Sequence, residues 1–157
     1  MDNISESNIQ KKDIENFSLN IHTLEEQLKI SDKLMEFDWI EYYDYAKQIL
    51  NDTGANECSC RVGVSRFYYA AFHIAQKYAK QESITIIDAG KTHEKLWISL
   101  EQSNNNNAKR VAALGNALKR LRTISDYRSG ISVDLRDLQN AFRHAEKILS
   151  LCNVTNC

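Results

Sequence analysis

The chain contains no proline and only five glycines among its 157 residues. Proline and glycine mark most turns and sheet corners, and a β-sandwich or β-barrel of this length needs many of them. Their scarcity favours long helices joined by a few short loops. The sequence therefore predicts an all-α fold.

Long apolar runs are missing as well, since no stretch approaches the roughly 18 residues that cross a bilayer. The first twenty residues alternate polar, acidic and apolar side chains, without the basic start and apolar stretch of a secretory signal. We therefore expect a cytoplasmic protein with no membrane association.

Cysteine is sparse, with four residues in the chain. Cys58 and Cys60 are separated by one residue, which is closer than the spacer of about two to four residues in structural zinc sites. Cys152 and Cys157 lie near the other end. Free thiols in a reducing compartment explain this pattern better than a shared metal site. We therefore expect no bound metal and no other cofactor.

The net charge of −1 is unevenly spread along the chain. Residues 1–57 carry thirteen acidic and five basic side chains, whereas residues 58–157 carry eight acidic and fifteen basic ones. A basic portion attracts phosphates, which favours nucleic-acid binding. From charge alone, pairing of the two portions with each other inside one bundle is the better explanation, and nucleic-acid binding is the alternative.

Apolar residues recur at helical spacing in six segments, which cover residues 8–37, 38–51, 59–80, 88–101, 108–127 and 133–151. Asp38 and Glu41 are expected to form a capping box for the second segment, and Ser132 to cap the last. The third segment is the most apolar and is expected to be the central helix, and the asparagine-rich residues 102–107 a loop. The pattern predicts an up-and-down bundle of five to six helices.

Aromatic side chains are concentrated in the second and third segments. Their helical spacing favours positions in the core and at helix interfaces over a platform that stacks on bases. This expectation covers Trp39, Tyr42, Tyr43, Tyr45, Tyr68 and Tyr69.

Arg66 and His73 are seven residues apart, nearly two helical turns, so they share one face at about 10 Å along the helix axis. Arginine binds phosphate through charge and forked donors, and histidine can move a proton near neutral pH. Such a pair suits phosphodiester cleavage. Because any pair at this spacing shares a face, a salt bridge within the bundle or a cap on a buried acid explains the spacing alone better than catalysis does.

Two further groups of polar residues are candidates for contacts with phosphates. Lys119 and Arg122 are three residues apart and therefore neighbours on one helix, where they would contact RNA or form a solvated face. His93 follows Lys91 at a predicted helix start, as a second catalytic or phosphate-side group or as a capping residue.

Four blocks of the sequence, taken together, resemble the HEPN superfamily of bacterial and archaeal helical proteins. They are SRFYYAAFHIAQKYA (Ser65–Ala79), Lys91-Thr92-His93, LKRLRTISDY (Leu118–Tyr127) and LQNAFRHAEKIL (Leu138–Leu149), and they occur in the family's order. The resemblance covers about residues 37–151. It implies a HEPN-like bundle over residues 37–157, preceded by an acidic N-terminal helical extension over residues 1–36.

What the resemblance implies for function is a metal-independent endoribonuclease of a toxin–antitoxin or phage-defence system. Arg66 and His73 would be its catalytic pair. RNA would be the substrate, a homodimer the assembly, and a nucleotidyltransferase-like antitoxin the protein partner. The residues then expected to contact the substrate are Tyr69, Lys91, His93, Lys119, Arg122, Asp126 and Tyr127.

Three positions depart from the nuclease pattern of that superfamily. Phe67 follows Arg66 where a polar residue is usual, and Asp126 stands where a histidine is expected. Ala75 stands where some members carry a tyrosine that a partner nucleotidyltransferase modifies. The alternative is therefore a catalytically degenerate HEPN module that binds RNA, a nucleotide or a protein partner, or a helical dimerisation adaptor.

Overall fold

The computed structural model describes residues 23–27, 37–86 and 92–153. The chain divides into two compact units, Met1–Asp38 and Trp39–Cys157. Of the predicted first helix, residues 23–27 are helical and Phe37 is not, and its other residues lie outside the described ranges.

The described part of the second unit is built from helices, and it contains no strand. The helices are α1 (Ile40–Asn51), α2 (Glu57–Gln81), α3 (Thr92–Gln102), α4 (Asn106–Tyr127) and α5 (Leu135–Leu151). α2 packs against α1, α4 and α5, and α3 packs mainly against α4. The predicted all-α helical bundle is confirmed.

α2 is the central helix, as its composition predicts. Over half of its 25 residues are buried. Ala70, Ala71, Ala75 and Ala79 are fully buried, and such small side chains let neighbouring helices approach closely. Polar residues on its covered sides, such as Arg61 and Arg66, therefore meet the neighbouring helices, whereas Lys77 and Lys80 are exposed to solvent.

The starts of α1, α2, α4 and α5 each differ by two residues from the predicted ones. Trp39, not Asp38, is the N-cap residue of α1, and its side chain makes no cap hydrogen bond, so the predicted capping box is wrong. The predicted loop of residues 102–107 is shorter, since residues 103–105 connect the helices and Asn106 begins α4. Asn105 is the cap, because its side chain accepts hydrogen bonds from the Asn107 and Ala108 amides. Such side-chain acceptors satisfy amides that have no partner within the helix.

The cap of α5 lies two residues later than predicted. Asp134 accepts hydrogen bonds from the Arg136 and Asp137 amides, and the Asp137 carboxylate accepts one from the Asp134 amide. This is a complete capping box. The Ser132 hydroxyl lies instead 3.4 Å from the Glu57 carboxylate of α2.

Arg61 of α2 binds the C-terminal end of α4 and the turn after it. Its guanidinium donates to the Ser125 carbonyl at 2.7 Å and to the carbonyls of Ile124, Arg128 and Ile131. The last carbonyls of a helix have no partner within it and carry partial negative charge. Glu57 pairs with the same guanidinium at 2.7 Å. Arg61 thus fastens the α4–α5 connection to α2.

Replacing Arg61 with lysine keeps the charge but removes the forked donors. We expect the free energy of unfolding to fall by about 1–2 kcal/mol, because several carbonyls lose their donor. Arg136→Lys is the control, since the Arg136 side chain is 87% exposed and pairs with Asp134 of the same cap. Denaturant titration followed by circular dichroism measures both. Equal stability of Arg61→Lys and wild type would contradict this role.

Gly115 of α4 lies directly against the ring of Trp97 on α3. A Cβ atom at Gly115 would stand 2.3 Å from Cζ3 of Trp97, whose side chain is fully buried. Real carbon atoms do not approach this closely, so only glycine permits the contact. The contact sets the distance between α3, which carries His93, and α4.

We expect Gly115→Ala to destabilise the protein. The overlap with a buried ring costs roughly 1–3 kcal/mol, which outweighs the ~1 kcal/mol that alanine gains in a helix. Gly130→Ala is the matched control, because no atom lies within 4 Å of its added Cβ. Thermal unfolding should separate the two variants. A Gly115→Ala protein as stable as Gly130→Ala would show that α3 and α4 tolerate a larger spacing.

Candidate functional site

A cavity of about 440 Å³ opens beside α2, where α1 and α3 approach it. α2 supplies five of its lining residues, α1 and its cap supply two, and α3 supplies His93. The lining consists of Trp39, Tyr42, Arg66, Tyr69, Phe72, His73, Gln76 and His93. No acidic residue is among them, so the described wall combines aromatic rings with basic groups.

Arg66 is held by aromatic rings. Its guanidinium carbon lies 4.5 Å from the centre of the Tyr42 ring and 5.7 Å from that of Tyr69. Its Nε atom is buried without a hydrogen-bond partner among the described residues, and the ion pairs between described residues do not include it. A cation held by rings keeps donors that an anion in the cavity can bind.

His73 lies nearly two helical turns after Arg66 on α2, and the ring of Trp39 covers one face of its imidazole. The two rings are stacked with centres 3.5 Å apart and planes 11° apart. Burial and the nearby His93 lower the pKa of His73, against a smaller opposing effect of a hydrogen bond with Gln76. His73 is therefore neutral near pH 7 and can accept a proton.

His93 enters the cavity from the first turn of α3. Its Nδ1 atom lies 3.2 Å from the Tyr68 hydroxyl, and its ring centre lies 4.1 Å from that of Phe72. Burial lowers the pKa of His93, and the positive charges of Arg122 and Lys119 lower it further. The cavity thus holds two histidines that are neutral near pH 7.

Arg122 of α4 is the centre of a second cluster, which shares Tyr69 with the cavity lining. Its Nε lies 2.6 Å from the Asp126 carboxylate, and its Nη2 donates to the hydroxyls of Tyr69 at 2.6 Å and Tyr127 at 3.1 Å. The Ser65 hydroxyl is 3.4 Å from the same carboxylate. Tyr69 therefore belongs to both the cavity and this cluster.

The predicted site residues fall into these two places. The cavity contains Arg66, Tyr69, His73 and His93, and the Arg122 cluster contains Tyr69, Arg122, Asp126 and Tyr127. Lys119 acts on His93 through its charge. Lys91 lies outside the described residues.

Four lining residues were not among the predicted site residues. The aromatic group was assigned to the core and interfaces, which is correct for Tyr43 and Tyr68, both essentially buried. It is incomplete for Trp39 and Tyr42, which line the cavity with Phe72 and Gln76. Trp39 and Tyr42 are three residues apart on one helical face, a signal that does not distinguish a core wall from a cavity wall.

The described cysteines Cys58, Cys60 and Cys152 are free thiols. Burial raises the pKa of Cys152 to about 12. Within the described ranges, no group of three or more histidine, cysteine, aspartate or glutamate residues is placed to hold a metal ion. No helix in those ranges is long and apolar enough to span a membrane.

Comparison with protein-family models, curated proteins and solved structures finds no match to this chain. The functional argument therefore rests on the cavity and its residues.

The lowered pKa values of His73 and His93 predict how stability depends on pH. An unfolded histidine takes up a proton near pH 6.5, whereas these two remain neutral in the folded protein to lower pH. The unfolded state then binds more protons, so the free energy of unfolding falls as pH decreases from about 6.5. Unfolding titrations between about pH 8 and pH 5 should show this fall, and a His73→Asn, His93→Gln double variant should show a smaller one. Equal slopes would contradict the assignment.

Proposed function

We propose that residues 37–157 form a HEPN-like module whose cavity binds RNA and cleaves it without a metal ion. The observation that carries the proposal is the meeting of Arg66, His73 and His93 in one aromatic cavity with no carboxylate in its lining. A phosphate diester is the chemical group that such a wall best accommodates, because arginine and histidine donors bind its oxygens and rings stack on the adjacent bases.

The reaction follows from the positions of Arg66 and His73. The guanidinium of Arg66 holds an oxygen of the scissile phosphate, and the neutral imidazole of His73 takes the proton of the neighbouring 2′-hydroxyl. The 2′-oxygen forms a bond to phosphorus while the bond from phosphorus to the 5′-oxygen breaks. The 5′-oxygen takes a proton from water, and the hydroxide that remains takes the proton from His73, which restores the neutral imidazole. The products are a 2′,3′-cyclic phosphate and a 5′-hydroxyl end.

The biological setting of the proposal rests on the resemblance of the four sequence blocks. It is a cytoplasmic toxin–antitoxin or phage-defence system. The proposed assembly is a homodimer, and the proposed protein partner is a nucleotidyltransferase-like antitoxin. The basic excess of residues 58–157 supports an RNA substrate, because each neutralised phosphate releases counterions.

A second candidate function is RNA binding without cleavage. The stacking of Trp39 on His73 supports it, because the indole covers one face of the imidazole. The ion pair of Arg122 with Asp126 supports it as well, because Asp126 stands where the superfamily's nucleases carry a histidine. In this case the same cavity binds a nucleotide between its rings without transferring a proton.

Cleavage of a mixed RNA pool in the presence of a metal chelator separates the two functions. We expect wild type to leave cyclic-phosphate ends and His73→Ala to lose about 10²–10⁴-fold in rate, because the general base is removed. His144→Ala is the matched control, since His144 is also a half-buried histidine with a pKa lowered by burial, but lies on α5 and not in the cavity lining.

The outcomes are distinct. Binding of RNA without cleavage by wild type, with an affinity that falls as salt increases, would replace the nuclease by the binding module. Equal cleavage by wild type and His73→Ala would remove His73 from the reaction. If folded protein neither binds nor cleaves RNA, the remaining hypothesis is a dimerisation adaptor. Analytical ultracentrifugation then measures whether the protein is a dimer.

A further inference from the structure

The hydroxyl of Tyr68 is sealed inside the bundle behind the cavity. Its residue is 1% exposed, and burial raises the pKa of the phenol, so it keeps its proton at any physiological pH. The partner of this hydroxyl among the described residues is Nδ1 of His93, at 3.2 Å. A buried hydroxyl proton needs an acceptor, because leaving it without one costs free energy.

The groups around Tyr68 leave Nδ1 as that acceptor. The Trp97 nitrogen only donates and acts on the Tyr68 oxygen as a donor, and Phe72 has no polar atom. Within the described residues the Tyr68 hydroxyl makes its hydrogen bond with His93 and not with the Tyr69 hydroxyl. If Nδ1 carried a proton, it would donate to the Tyr68 oxygen, and the hydroxyl proton of Tyr68 would then be a buried donor without an acceptor. Tyr68 therefore donates to Nδ1, and neutral His93 carries its own proton on Nε2.

We infer that His93 is a fixed hydrogen-bond donor of the cavity, whose Nε2–H binds an oxygen of the RNA phosphate because Tyr68 occupies Nδ1. This inference rests on the proposed function for the identity of the ligand. It divides the two histidines of the cavity by role: His73 accepts the proton of the 2′-hydroxyl, and His93 stabilises the charge that develops on the phosphate.

The charges around His93 fit a donor that works in the neutral state. The ionisable groups near it are Tyr68, Tyr69 and His73 on α2 and Lys119 and Arg122 on α4. The cationic members of this set disfavour an imidazolium, as does burial. A neutral Nε2–H needs no protonation step to donate. The rate of cleavage should then rise with pH as His73 loses its proton. It should not fall again at higher pH, because His93 donates in its neutral form.

Nitrogen NMR of protein labelled in its histidine side chains tests the tautomer directly, without any activity. At about pH 8, above the ordinary histidine pKa, we expect His93 to carry its proton on Nε2 in wild type. Tyr68→Phe should lose this preference, while His144 should be unchanged. A proton on Nδ1 of His93 in wild type would overturn the inference.

Titration with inorganic phosphate and with cytidine 3′-monophosphate tests the ligand. We expect the Nε2–H signal of His93 to shift on binding, and His93→Ala to weaken binding roughly tenfold through the lost hydrogen bond. His93→Gln, whose amide can donate from a similar position, should retain most of the affinity, whereas His144→Ala should match wild type. Binding with no change at His93, or equal binding by His93→Ala, would overturn the inference.

The same variants distinguish failure of this inference from failure of the nuclease proposal. RNA cleavage by wild type that is unaffected in His93→Ala leaves the nuclease intact and removes His93 from its site. Phosphate binding that needs His93, together with no RNA cleavage, keeps the donor role and moves the protein to the binding module. Absence of phosphate and nucleotide binding in folded wild type contradicts both.

Discussion

The enclosure of α2 is the constraint on which the other features depend. Its buried alanines bring α1, α4 and α5 close, and Gly63 lets the Leu138 side chain approach to a distance that no Cβ atom would permit. Basic side chains on its covered sides have defined partners: Arg61 binds carbonyls of α4, and Arg66 lies against the ring of Tyr42. Lys77 and Lys80, on its uncovered side, are exposed. The core and the candidate site thus have one cause.

The aromatic content of the cavity wall follows from the same packing. Rings fill the space between helices while presenting edges and faces that tolerate nearby cations. Because no carboxylate lines the cavity in the described residues, the charge of Arg66 is not neutralised there. Its positive potential acts within a wall of low polarity, where the interaction with an incoming phosphate is stronger than in water.

The helical spacing of apolar residues was sufficient to predict those features that depend on a single helix. It placed Arg66 and His73 on one face of a buried central helix, and both line the cavity. It did not place His93 beside Tyr68, because that contact depends on how α3 packs against α2 and α4. Helix starts were missed by about two residues where several polar residues compete to cap, as at Asp134. The role of Arg61 could not be predicted from the sequence, because its acceptors are backbone carbonyls, which every residue carries whatever its side chain.

Asp126 is informative because of what it holds. Its carboxylate binds Arg122, and Arg122 donates to the hydroxyl of Tyr69, which forms part of the cavity wall. An acid that positions an arginine at this point is a structural part of the wall, and it removes from α4 the proton-transfer role that a histidine would have there. The chemistry we propose is accordingly divided between α2 and α3. A displaced catalytic site and a lost one are both expected to contain the His93 donor, so cleavage of RNA is the property by which the two differ.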